Sequence, residues 1–196
     1  MKKLIMPVCL AAFLAVGIGC NNSQSTDSAD STSTTTDADT STMATGDMSA
    51  DTNMSADSKF ATEAASGGMM EVELGQLAAT NASSANVKKF GQMMVTDHSK
   101  ANTELKAVAA QKNITLPTAP MEDHQKHIDE LKAKTGADFD KAYVDMMVDD
   151  HQEDISKFED EAKNGNDADL KAFASKTLPV LKKHLQAVKA IQDGMK

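Results

Sequence analysis

Arginine and tryptophan do not occur in this chain; tyrosine occurs once and cysteine twice. Each shortage removes a class of chemistry. The twenty basic residues are all lysine and are outnumbered by 29 acidic ones. Without arginine there is no planar fork for bidentate phosphate contacts, so nucleic-acid binding is not expected. Few aromatic and no guanidinium groups leave little with which to build a specific organic-ligand pocket. Cys9 and Cys20 lie within the first twenty residues, so the rest of the chain offers no disulfide, cysteine nucleophile or thiolate metal site. A nucleophile elbow, a phosphate loop and a His-Glu-x-x-His motif are also missing, and no enzyme is expected.

What is present begins with MKKLIMPVCLAAFLAVGIGC. Two lysines, a short apolar run and a small residue before a cysteine form the pattern of a secretory signal. The run is too short to span a bilayer comfortably. Residues 1–19 are expected to be a cleaved signal peptide, with Cys20 as the lipidation site. Gly17 stands where a lipobox usually has leucine. Residues 20–57 are Ser/Thr/Asp-rich, with seven aspartates and no lysine. Such a stretch buries too little apolar surface to offset chain entropy and is expected to be a disordered tether spanning roughly 30–35 Å. Its methionines, Met43, Met48 and Met54, recur within low-complexity sequence. Removing +2 for the signal and −7 for the tether from the total of −9 leaves −4 for residues 58–196, a single domain long enough for its own core.

Apolar positions in that domain recur at threes and fours, with no alternation of period two over strand length. The pattern predicts four long amphipathic helices and one short one, an all-α bundle. The first runs from Ser58 to Thr80, with Phe60, Glu71 and Leu74 on its stripe and Gly67-Gly68 allowing close packing. The second opens at Ser83 or Ser84 and ends near Asn113. After a loop at Leu116–Pro120, a short polar helix runs from Met121 to Lys134. Gly136 breaks the chain, Asp138 is the expected cap of the next helix to Lys163, and Asp167 that of the last, to Asp193, with a bend at Pro179. A Met-Met-Val-x-Asp-His core occurs twice, ending at His98 and at His151, 53 residues apart. This suggests two related helical pairs about a pseudo-dyad.

Each main helix carries one metal-capable polar residue on its apolar stripe: Glu71, His98, His151 and His184. Converging in a core, these suit copper, zinc or iron. Met94 and Met147 precede His98 and His151 by one turn, and thioethers favour copper(I). Asp97 and Asp150 are positioned as outer acceptors that orient the rings. A structural polar cluster would use the same residues. His124 and His127, beside Asp123, share one face of the short helix, whose polar surroundings point to a solvated face.

The motif order carries a resemblance. Phe60, Gly67-Gly68, Glu71, Leu74-Gly75-Gln76-Leu77, Met94-Val95-x-Asp97-His98, Leu116-Pro117, Tyr143, Met147-Val148-x-Asp150-His151 and Leu178-Pro179 with His184-Leu185 resemble the domain of unknown function 4142 family. Its members are labelled predicted outer-membrane proteins with a ferritin-like helical bundle. The resemblance implies a four-helix bundle, with the short helix in the crossover between second and third main helices, and an envelope location. It supplies no reaction, and Glu-x-x-His pairs, which di-iron bundles place on two helices, are missing. The expected function is that of a non-enzymatic cell-envelope lipoprotein. It would be lipid-anchored in the outer membrane facing the periplasm and would act through an envelope protein partner, in a setting of stress protection. The alternative is a periplasmic metal-binding protein.

Overall fold

The described residues, 55–195, fold into five helices, seen in a computed structural model. The signal, Cys20 and nearly all of the tether lie outside the described residues. The helices are α1 (Ala56–Asn81), α2 (Ala85–Gln111), α3 (Glu122–Lys132), α4 (Gly136–Asn164) and α5 (Ala168–Asp193). Among the described residues there is no strand, only an isolated bridge between Ala82 and Gly136.

Local chemistry sets the helix starts. Ser84 Oγ accepts from Val87 N, and Asp167 Oδ1 accepts from Asp169 N and Leu170 N, so α2 and α5 open where the sequence places their caps. Two starts differ from expectation. Ser55 caps α1, and Asp57, assigned above to the tether, is buried in its first turn. Thr135, not Asp138, holds the N-cap position of α4: Gly136 takes φ +64, turning the chain sharply into the helix one turn early. Asp138 then lies in the first turn, where its charge suits the helix N-terminus. Helix α5 runs through Pro179 without interruption.

Two antiparallel hairpins, α1–α2 and α4–α5, form the bundle; α1 faces α4, α2 faces α5, and α3 rests mainly on α1. Asp57 at the start of α1 accepts from the backbone N–H of Asn166 and Asp167 in the α4–α5 turn. Asp140 at the start of α4 accepts from Ser83 N, Ser84 N and the Ser83 hydroxyl in the α1–α2 turn. These two locks are the same device, because Asp57 and Asp140, Ser83 and Asn166, and Ser84 and Asp167 are each 83 residues apart. The hairpins are therefore related by a step of 83. The 53-residue repeat instead relates α2, the second arm of one hairpin, to α4, the first arm of the other.

Close approach of α1 and α2 occurs at Gly75 and Gly91. A Cβ on Gly75 would lie 2.6 Å from the Gly91 carbonyl oxygen, and one on Gly91 would lie 2.7 Å from Ala78 Cβ. Gly68 packs as closely as expected, since a Cβ there would overlap the Asn102 side chain of α2, whereas Gly67 meets nothing nearer than the His124 ring at 3.8 Å. Helix α3 is not polar all round: Ile128 and Leu131 are fully buried.

The core is divided. One apolar cluster includes Met70, Leu74, Phe90, Met94, Tyr143 and Met147; a second includes Phe60, Leu105, Phe158, Leu170, Phe173 and Leu181. Along α2 and α4, His98 and His151 fall between the members of the two clusters. Buried Glu71 and His184 complete this polar layer.

Candidate metal centre

His98 on α2, His151 on α4 and His184 on α5 are 5%, 0% and 0% exposed, and one ring nitrogen from each lies within 4.8 Å of the others. His184 Nδ1 is 3.3 Å from His98 Nε2 and 3.4 Å from His151 Nε2. The helical periods that bury three apolar stripes also bring these rings together, which makes the site a product of core packing.

The outward nitrogens identify the protons. His151 Nδ1–H donates to the Met147 carbonyl at 3.0 Å, since a carbonyl only accepts. His184 Nε2–H donates to the Asp97 carboxylate at 2.9 Å. His98 Nδ1 faces Glu71 Oε2 at 2.6 Å. With Glu71 ionised, His98 Nδ1 carries the proton, and the three inward nitrogens are three bare lone pairs. With Glu71 protonated, its hydroxyl donates to His98 Nδ1 and His98 Nε2–H donates to His184 Nδ1. His151 Nε2 is still a bare lone pair. No arrangement of neutral rings satisfies all three.

Protonating the rings is disfavoured. Burial lowers His98 to about 4. Burial, then the neighbouring His98 and His184, lowers His151 to about 3. Burial lowers His184 as well, opposed by its bond to Asp97. At neutral pH the imidazoles are uncharged, the form that binds metals.

Glu71 does not join the three nitrogens. It sits behind His98, with Oε2 against its outer nitrogen and Oε1 3.6 Å from His151 Nε2. Its carboxyl is raised well above the usual range by burial and by the charge of Asp154. Asp150, expected to orient a ring, pairs instead with Glu71, and burial and the Glu71 charge raise it too. Asp97 takes the expected outer position on His184. Met94 and Met147 are fully buried in the larger apolar cluster, and it is the Met147 backbone that touches the site. His124 is half-buried: its Nδ1 is 2.6 Å from Ser66 Oγ, which also accepts from Met121 N at 2.7 Å, tying α3 to α1. His127 is exposed as expected.

Two participants were not singled out in the sequence. Asp154 lines a small cavity of about 20 Å³ with Glu71, His98, Asn102 and Thr177, room for about one water. Burial raises its carboxyl to about 6. Tyr143 is fully buried with a hydroxyl that has no hydrogen-bond partner. The signal for Asp154 was its spacing: three after His151, four after Asp150, and 83 after Glu71, its counterpart across the two hairpins.

The family described as a domain of unknown function (DUF4142) matches the chain over residues 38–191. The chain belongs to this family. No curated protein and no solved structure matches it. The DUF4142 match covers every residue of the polar layer.

Proposed function

We propose that this protein is a metal-binding module of the cell envelope, holding one divalent ion on His98 Nε2, His151 Nε2 and His184 Nδ1. The supporting observation is the meeting of these nitrogens in a solvent-shielded core with no arrangement of protons among the rings that satisfies them. The two separations from His184 Nδ1, 3.3 and 3.4 Å, match the edge of a tetrahedron, about 3.3–3.4 Å, whose bonds have the zinc–nitrogen length of about 2.0–2.1 Å. The outer nitrogens are held by a carbonyl and two carboxyl groups, the usual second support of metal-bound histidine. Zinc is the preferred ion, ahead of iron(II). Copper(I) would gain from thioethers, but Met94 and Met147 belong to the apolar cluster. The proposal is one of metal holding, without catalysis. Export and lipid attachment at Cys20 are part of it, the tether keeping the bundle clear of the membrane.

The reading of a module that works purely through protein contacts would be favoured by an exposed apolar patch. Among the described residues, the large apolar side chain found exposed is Met195.

The test is to strip the full-length chain of metal and load it separately with zinc, iron(II) and copper(I). Bound stoichiometry and Tm are then measured beside His98→Ala/His151→Ala. Retained zinc and a Tm that rises with zinc, both abolished in the double variant, are expected. Wild-type protein that retains none of the three ions and gains no stability would remove the proposal.

A further inference from the structure

Beside the three histidines lies a second group whose bonding is incomplete. Apart from the pairing of Glu71 with Asp150, the buried Glu71 Oε1, Asp150 Oδ2 and Tyr143 hydroxyl have no hydrogen-bond partner. Glu71 is 1% exposed and Tyr143 0%. Ligand atoms of Glu71, Asp150 and His151 lie within 4.8 Å of one another. Burial, then the charges of Glu71 and Asp150, raise the Tyr143 hydroxyl, and the Tyr143 ring packs against Phe90, which also packs against the His151 ring. Solvent-excluded polar atoms in a folded core are nearly always paired, and a group of three left over calls for a ligand. One proton shared between Glu71 and Asp150 would serve the two carboxyl groups and leave the phenol unserved.

We propose that Glu71 Oε1 and Asp150 Oδ2, with the Tyr143 hydroxyl at its margin, form a second cation site, which makes the centre dinuclear. The donors are oxygens, so the site takes a hard divalent cation of the manganese(II) kind, whereas the three imidazoles take zinc. Glu71 links the two positions, one oxygen on the His98 ring and the other on the second ion. This inference rests on the histidine site proposed above.

The experiment uses the full-length chain, stripped of metal, saturated with zinc and then titrated with manganese(II). Bound manganese is followed by loss of the free-ion electron paramagnetic resonance signal, and total metal by elemental analysis. One zinc and one manganese per chain are expected. Asp150→Asn/Tyr143→Phe, which changes little volume, is expected to keep the zinc and to weaken manganese binding at least about tenfold. One zinc with no manganese bound would overturn the second site and leave the histidine reading standing. Manganese bound equally well by the variant would also overturn it. No zinc bound by folded wild-type protein, judged by its melting transition, would overturn both.

Discussion

His98 and His151 show how burial alone sets a residue's chemistry. Held at about 4 and about 3 by burial, they stay neutral where an unfolded histidine, with a pKa near 6.5, gains a proton. The unfolded chain therefore binds more protons. The two rings' contribution to the stability of the metal-free protein is complete above pH ~6.5 and falls as pH drops towards the folded values, by up to about 1.4 kcal/mol per pH unit for each ring. Asp154 acts in the opposite sense. Raised to about 6, it contributes stability below the ordinary carboxylate range and loses it as pH rises through about 6. The two trends overlap between about pH 4 and 6 and flatten the wild-type profile. In Asp154→Asn the acid limb is expected to steepen. Urea unfolding of metal-free protein across that range measures this; parallel profiles for wild type and variant would disprove the role given to Asp154. The candidate ligands were legible in the sequence because each is a titratable residue on an apolar stripe. Which nitrogen each presents was not, since that depends on Asp97, Glu71 and the Met147 carbonyl.

At the scale of the helices, the sequence specifies period, caps and lengths well, and contact points poorly. Gly67-Gly68 looks like the place for close packing, and Gly68 is one, since a Cβ there would overlap the Asn102 side chain of α2. Gly67 faces the His124 ring at an ordinary 3.8 Å, and a second crossing, backbone on backbone, is Gly75 on Gly91. Gly75→Ala is expected to cost about 1–3 kcal/mol, because its Cβ would press on the Gly91 carbonyl with no flexible group to yield. Gly67→Ala should be neutral or stabilising by up to about 1 kcal/mol, since alanine relieves the entropy cost of a helical glycine. Urea midpoints for the two variants decide it; equal losses would mean that the crossing is not where the geometry places it. Helix α3 gives the same lesson. Its charges dominate the sequence, but Ile128 and Leu131, three apart, seat it, and Ser66 holds its start.

Across the whole molecule, the two hairpins are joined by a crossover and locked at both ends by Asp57 and Asp140. The layer of Glu71, His98, His151 and His184 divides the apolar core in two. Burying four polar groups where apolar ones would pack is costly unless a ligand or a full set of hydrogen bonds compensates, and a metal joining α2, α4 and α5 would tie the hairpins together. The location of the molecule rests on Cys20. If it carries lipid, the protein sediments with membranes, and Cys20→Ser moves it to the soluble exported fraction; an unchanged membrane fraction in the variant would rule out this anchor.

The sequence by itself determined the all-helical class, the helix spans to within a few residues, and the residues able to carry chemistry, because helical period and side-chain type are local properties. The tertiary structure decided the rest. Asp57 left the tether because its partners lie 109 and 110 residues away. The hairpins matched at a step of 83, although the more conspicuous repeat falls at 53. Of the four stripe residues, three meet at one point, and Glu71 stands behind them with Asp150. Rotation of each helix about its axis and its vertical register are fixed by packing against neighbours, and one chain's pattern encodes neither.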